Sequence, residues 1–108
     1  MKRGDVVTVS APGDYGKPRP AVVVQSDSLD AGDSVLVALF TSALTDAPLY
    51  RLTVASAPAN GLNCVSQVMV DKILATRRAK CGPVIGRLSA ADMLVLNTML
   101  SVMIGLAD

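Results

Sequence analysis

The chain has 108 residues, 51% of them apolar and 18% charged, and a formal net charge of +1. This length predicts one domain over residues 1–108. The high apolar fraction predicts either a large core or apolar surface for a subunit interface. No apolar run reaches the roughly 20 residues of a membrane-spanning helix and no secretory signal is evident, so we expect a cytoplasmic protein that does not enter a membrane. The chain has no histidine and only two cysteines, which we expect to be free thiols. This composition argues against an ordinary zinc site, so we expect no metal and no cofactor. The lack of histidine also removes the commonest acid–base residue near neutral pH.

Six segments have the composition and spacing of β-strands. They are residues 6–10, 20–25, 35–40, 50–54, 64–73 and 84–88. The second is an almost continuous apolar run, which predicts a strand buried on both faces. The fourth alternates apolar and polar residues, which predicts an edge or half-buried strand. Asn60-Gly61 predicts a turn before the fifth.

The last segment predicts a helix. Ser89 and Asp92 are spaced as a capping box, and Gly105 is a typical helix end. The helical face expected to pack on the sheet carries Met93, Leu96, Leu100, Met103 and Ile104. Several short strands followed by one helix predict a mainly β fold, a small and strongly bent barrel-like antiparallel sheet with a C-terminal helix.

The charges are segregated along the chain. Five basic residues and no acidic residue lie between Lys72 and Arg87, whereas four aspartates and no basic residue lie between Ser26 and Asp46. A basic stretch can attract phosphate groups even when the net charge is low. The alternative is a solvated strand face.

Three short stretches carry candidate site residues. In residues 16–20, two prolines stiffen the backbone around Arg19, and a rigidly held guanidinium suits phosphate recognition, although a surface arginine in a turn would look the same. Thr41 and Ser42 offer adjacent hydroxyls to a phosphate or a ribose, or simply end a strand. Gln67 could read a base edge or satisfy backbone groups.

These stretches, in this order, resemble the MazF/PemK family of toxin endoribonucleases. Residues 3–7 are similar to the family's first strand, and residues 16–25 to its Arg-Pro motif and second strand. Thr41-Ser42 resembles the pair that ends the third strand, Gln67 resembles the glutamine of the fifth, and residues 85–89 resemble the segment before the final helix. The resemblance extends over essentially the whole chain.

The resemblance implies an SH3-like barrel with a C-terminal helix, assembled as a homodimer and neutralised by a cognate antitoxin. It implies sequence-specific cleavage of single-stranded RNA such as mRNA, with Arg19 and Thr41 in the catalytic roles. Such cleavage needs no metal, because the substrate's own 2′-OH can attack the phosphorus and leave a 2′,3′-cyclic phosphate and a 5′-OH end. A fixed cation would stabilise the charge that develops.

The remaining candidate residues are assigned to substrate binding: Lys17, Ser42, Gln67, Tyr15 and Asp71. Tyr15 is the aromatic residue expected to stack on a base. Some family members carry an arginine and an aspartate just before the fifth-strand glutamine, where this chain has Cys64 and Ser66. If a second proton-transfer group is required, Lys17 and Asp71 are the candidates.

Two other functions remain open from the sequence. The CcdB toxins share the barrel but poison DNA gyrase without cleaving a substrate, and a fold does not by itself fix a function. A non-catalytic SH3-like protein-binding module is the other alternative. The Arg-Pro and Thr-Ser pairs favour the ribonuclease.

Overall fold

The computed structural model describes residues 1–10, 17–29 and 32–108. The described chain forms six strands and one α-helix: β1 Asp5–Val9, β2 Arg19–Val23, β3 Ser34–Thr41, β4 Arg51–Val54, β5 Ser66–Arg77, β6 Cys81–Arg87 and α1 Ala90–Met103. Single-turn 3₁₀ helices at Asp27–Leu29 and Arg78–Lys80, which the sequence pattern did not predict, connect β2 to β3 and β5 to β6. The predicted class, mainly β with a C-terminal helix, is confirmed.

The strands form one sheet in the order β4-β5-β3-β2-β1-β6, with every neighbouring pair antiparallel. The first part of β5 pairs with β4 and with the end of β3, and the later part pairs with the beginning of β3. The register of β3 on β5 shifts between Ala38 and Phe40. Such irregularities bend a strand and increase its twist. The 12-residue strand β5 can therefore pair with both β4 and β3 in a curved sheet.

The sheet is buried on both faces at its centre. Val22 belongs to one apolar cluster, which includes Leu96 of α1, while its neighbours Ala21 and Val23 belong to a second cluster. Because successive side chains in a strand point to opposite faces, this placement confirms the prediction that β2 is covered on both sides. The apolar runs of β2 and β3 therefore serve as the core around which the site is built.

The observed strands differ from the predicted ones by one or two residues at most ends, and by more than two at the end of β5 and the start of β6. β5 begins at Ser66 rather than Cys64, and its pairing with β3 extends it beyond Ile73 to Arg77. β6 begins at Cys81, before Pro83. Proline cannot donate to a ladder but is tolerated on an edge strand, and β6 is at the edge of the sheet.

Helix α1 is capped at both ends. The Ser89 hydroxyl accepts a hydrogen bond from the Asp92 amide at 3.0 Å. Gly105, at φ +81°, ends the helix with amide bonds from Gly105 to the Val102 carbonyl and from Leu106 to the Ser101 carbonyl. This pair of bonds is a Schellman motif.

The packed face of α1 is shorter than predicted. Leu96 is fully buried, and Met93 and Leu100 pack against the core. Met103, the last helical residue, and Ile104, which follows it, are 38% and 59% exposed. Their assignment to the buried face was wrong. No helix in the described part of the chain is both long and apolar enough to cross a membrane.

Candidate functional site

A cleft of about 380 Å³ lies where β2 begins and β3 ends. Three chain segments form it: the residues leading into β2, the last residues of β3 and those just after it, and the segment before β5. Its lining residues are Lys17, Pro18, Arg19, Pro20, Phe40, Thr41, Ser42, Leu62, Asn63, Cys64 and Ser66. Four of the predicted site residues therefore share one concave surface: Lys17, Arg19, Thr41 and Ser42.

The pairing of β2 with β3 brings Arg19 and Thr41 together. Ala21 pairs with Leu39, and the antiparallel register continued by two residues places Arg19 opposite Thr41. Arg19 is half-buried as the first residue of β2, where it pairs with Val9 of β1. The prolines on either side restrict its backbone to an extended conformation, so the guanidinium extends from a stiff segment at the wall of the cleft.

Thr41 is oriented by a local hydrogen bond. Its hydroxyl oxygen accepts a bond from the amide of Ala43 at 3.1 Å, a turn that holds the side chain in place. A threonine hydroxyl that accepts one bond still has its proton to donate and a second lone pair. The adjacent Ser42 is exposed and also lines the cleft. The two hydroxyls offer donors beside a cationic side chain.

The charged residues in the described part of the cleft lining have one sign. Of the described residues that line the cleft, only Lys17 and Arg19 are charged, and both are cationic. An arginine presents a planar set of donors that matches a phosphate, whereas a lysine supplies a mobile point charge. A concave surface with this lining attracts anions.

The third side of the cleft contains residues that the sequence analysis did not select. Leu62, Asn63, Cys64 and Ser66 line it, and Asn63 had no assigned role. The Asn60-Gly61 turn indicated where the segment changes direction. It did not indicate that the residues after the turn would lie beside β3.

Gln67 is bonded within the protein. It is 5% exposed; its Oε1 accepts from the Thr45 amide at 3.0 Å, and its Nε2 donates to the Thr45 carbonyl at 2.9 Å and the Thr53 hydroxyl at 3.1 Å. These contacts hold the β3–β4 connection to β4 and β5, and the side chain lies outside the lining of the cleft that contains Arg19 and Thr41. They match the alternative in which Gln67 satisfies backbone groups, and a contact with a base stays a prediction.

Asp71 does not line the cleft. Asp71 Oδ1 is 3.6 Å from Nε of Arg51, and Asp71 lies five residues beyond Ser66, about 16 Å along β5 at the usual rise of a strand. Tyr15 lies outside the described residues. Of the two candidates for a second proton-transfer group, Lys17 is the one that lines the cleft.

The basic stretch is divided among several surfaces. Arg87 forms a 2.7 Å ion pair with Asp5, and the Nε of Arg78 donates to the Gly32 carbonyl at 2.9 Å. Lys72, Arg77 and Lys80 are exposed. None of these basic side chains lines the cleft that contains Arg19 and Thr41, so the solvated-face interpretation describes their positions better.

The two cysteines are unpaired thiols, Cys64 in the cleft and Cys81 at the start of β6, where burial raises the pKa of its thiol. No group of three or more potential metal ligands (His, Cys, Asp or Glu) occurs among the described residues. The chemistry that the cleft itself offers is binding of an anion by two cationic side chains, with hydroxyl donors directly beside them.

Comparisons with known proteins match the chain over nearly its full length. The profile of the PemK-like, MazF-like toxins of type II toxin–antitoxin systems matches residues 2–104. A protein of Mycolicibacterium smegmatis named "Probable endoribonuclease MazF" is 44% identical over 108 residues, covering 99% of each chain.

Solved structures share the fold at low sequence identity. An endoribonuclease from Mycobacterial species, in complex with its cognate antitoxin, has a TM-score of 0.81 at 22% identity, covering 98% of this chain and 96% of that one. The Mycobacterium tuberculosis toxin MazF-mt6 has a TM-score of 0.80 at 20% identity, covering 94% and 96%. From the family profile and the full-length relative, this chain belongs to the PemK-like, MazF-like toxins of type II toxin–antitoxin systems.

Proposed function

We propose that this toxin is an endoribonuclease that cleaves single-stranded RNA, including mRNA, without a metal ion. One observation carries the proposal: the β2–β3 pairing brings Arg19 and Thr41 into one cleft whose described charged residues are all cationic. The full-length relative named as an endoribonuclease supports the same reaction. The scissile phosphate would bind at Arg19 and Thr41, with Lys17 and Ser42 contacting the neighbouring backbone.

The reaction is a transphosphorylation in which the RNA supplies its own nucleophile. The ribose 2′-oxygen gives its proton to solvent water and bonds to phosphorus, the bond from phosphorus to the 5′-oxygen breaks, and that oxygen takes a proton from Lys17. The products are a 2′,3′-cyclic phosphate and a 5′-OH end. Negative charge develops on the phosphoryl oxygens, where a preorganised cation contributes most to catalysis.

Each cleft residue has a separate task in this scheme. The Arg19 guanidinium stabilises the pentacovalent phosphorus through paired N–H donors. The Thr41 hydroxyl, oriented by the Ala43 amide, donates to a phosphoryl oxygen or orients the attacking 2′-OH. Lys17, which lines the same cleft, would protonate the leaving 5′-oxygen. Activity therefore requires neither histidine nor a metal-bound water.

The proposed partners are RNA, a cognate antitoxin and a second copy of this chain. Membership in a toxin–antitoxin family supports an antitoxin partner, and one structural neighbour was solved with its own. The homodimer is supported by exposed apolar side chains on and after α1, namely Leu94, Val95, Val102, Ile104 and Leu106, since such patches mark interaction surfaces. We place the reaction in the cytoplasm, where mRNA is found and thiols stay reduced.

The two other functions considered from the sequence are not favoured. The family profile is that of the PemK-like, MazF-like toxins, whereas gyrase poisoning would make Arg19 dispensable. A non-catalytic binding module would leave RNA intact.

The test is cleavage of a mixed-sequence RNA in EDTA, with the new ends mapped. We expect the parent to cut and Arg19→Ala to lose at least about 100-fold in kcat, and Thr41→Ala to lose roughly 100- to 1,000-fold, the usual cost of one charge-stabilising donor. Lys2→Ala, which removes an exposed cation outside the cleft, controls for net charge and should retain parental activity. Full activity in Arg19→Ala, or a parent that cuts only with added metal, would refute the mechanism.

A further inference from the structure

The segment that forms the third side of the cleft, residues 62–66, is fixed by hydrogen bonds to the turn that precedes it. The side-chain oxygen of Asn60 accepts hydrogen bonds from the amides of Ala57 and Leu62 at 3.1 and 3.0 Å, and its amide nitrogen donates to the Ala55 carbonyl at 2.9 Å. The Ser56 hydroxyl donates to the Leu62 carbonyl at 2.5 Å. Leu62, at 5% exposed, anchors this turn in the core.

The same turn packs closely against β6. Gly61 has φ +71°, and a Cβ at this position would lie 2.2 Å from the Ile85 carbonyl oxygen. A Cβ at Gly86 would lie 2.2 Å from the carbonyl carbon of Asn60. The backbone of β6 and the turn are therefore in direct contact, which leaves no room for the turn to shift toward β6.

On the other side of Asn63, the chain is held again before β5 begins. The Ser66 hydroxyl donates to the Cys64 carbonyl at 3.0 Å, and Ser66 is 6% exposed. Asn63 and Cys64 are exposed between these two fixed points and line the cleft. Within the described part of the chain, the side-chain amide of Asn63 forms no hydrogen bond. Its two N–H donors and its oxygen acceptor are therefore available to a ligand.

The strand order places this segment next to the reacting phosphate. Gln67, which follows Ser66, pairs with Thr41, and β3 lies between β5 and β2. A phosphate held at Arg19 and Thr41 therefore has Asn63 on the β5 side of the same cleft. An RNA strand passing through it would place a flanking base beside the amide.

We propose that Asn63 is a specificity-determining residue whose side-chain amide contacts the edge of the base next to the scissile phosphate. The inference rests on the proposed ribonuclease function and deepens it. An amide pairs a donor with an acceptor and so discriminates among base edges. Proteins read single-stranded RNA through the edges of unstacked bases. Because the Asn60 and Ser66 contacts preorganise the backbone, little ordering is required when RNA binds.

The test compares the parent with Asn63→Ala and Asn63→Asp on a pool of randomised RNA, with the 5′-OH ends sequenced. We expect Asn63→Ala to keep cutting but to lose base preference at one position beside the cut, and kcat/KM on the parent's preferred RNA to fall about 5- to 150-fold. Asn63→Asp replaces the amide donor with an acceptor. It should shift the preference at that same position toward bases that present an amino group.

Ser28→Ala, at an exposed residue outside the cleft, is the control and should keep both the parental rate and the parental preference. Circular dichroism establishes that each variant is folded. Unchanged base frequencies at every position in Asn63→Ala, or a folded Asn63→Ala that cuts no RNA at all, would overturn the inference. A parent that fails to cut any RNA would instead refute the proposed function, so the two failures are distinguishable.

Discussion

Single residues in and around the cleft differ in how much of their hydrogen-bonding capacity the fold already uses. Thr41 accepts one bond, from the Ala43 amide, and keeps its own proton for a ligand. Gln67 uses both amide hydrogens and its oxygen on Thr45 and Thr53 while 5% exposed. A buried amide bonded in this way stabilises the fold through contacts that would be costly to break. Residue type alone could not separate these two roles.

Replacement of Gln67 by alanine separates a structural role from base reading. We expect Gln67→Ala to lower the free energy of unfolding by about 1–3 kcal/mol, since buried groups of Thr45 and Thr53 lose their partner, and to leave base preference unchanged. Chemical denaturation and RNA end mapping measure the two quantities. Gln25→Ala is the comparison, because that amide bonds to the backbone of Leu29 and Leu36 at a less buried position and should cost less. Altered base preference at parental stability would instead show that Gln67 contacts RNA.

Among the structural elements, the helix is the one whose limits follow most directly from local chemistry. Its first turn is capped by Ser89, and its end is set by Gly105 in a left-handed conformation. Its position on the sheet depends on Leu96, which is fully buried in the cluster that also includes residues of β1 to β5. Because α1 covers this cluster, a weaker helix should lower the stability of the whole fold.

The N-cap of α1 can be tested with a pair of substitutions. Ser89→Ala removes the acceptor for the Asp92 amide, and we expect it to lower the free energy of unfolding by about 1 kcal/mol, or the Tm by roughly 4–8 °C. Ser89→Asp keeps an acceptor at the same place and should stay near the parental Tm. Equal losses in both variants, measured by differential scanning calorimetry, would show that the cap contributes nothing.

At the scale of the whole molecule, the end of α1 carries an exposed apolar surface. Ile104 and Leu106 are 59% and 75% exposed, and they line a groove of about 580 Å³ together with Leu36 and Ile73 of the sheet and Val24, which follows β2. A groove that combines the end of a helix with the face of a sheet offers an extended apolar contact. A second copy of the chain would remove this surface from water.

Association through this groove makes a prediction about mass. We expect the protein to elute in light-scattering chromatography at about twice its chain mass of 11.2 kDa, and Leu106→Asp to shift it toward the monomer, because a buried unpaired charge opposes association. Leu29→Asp adds the same charge at a residue that is 65% exposed on a 3₁₀ turn and should remain dimeric. A monomeric parent, or a Leu106→Asp protein that stays dimeric, would contradict this interface.

The sequence by itself determined the features that depend on neighbouring residues. Apolar runs located the six strands, Ser89 and Gly105 located the ends of the helix, and the stiff Arg19 segment and the Thr41-Ser42 pair identified two sides of the cleft. Periodicity, capping and turn chemistry act within a few residues, so they can be read along the chain. Met103 and Ile104 were misplaced on the packed face, since periodicity identifies a helical face but not how far along the helix the core extends.

Only the tertiary structure decided which distant segments meet. Asn63 reaches the cleft because β5 pairs with the end of β3, and Gln67 is buried for the same reason. The extension of β5 to Arg77 likewise follows from its pairing with β3. Such contacts join residues more than 20 positions apart and depend on strand register, which is selected by burial across the whole sheet rather than by any local pattern.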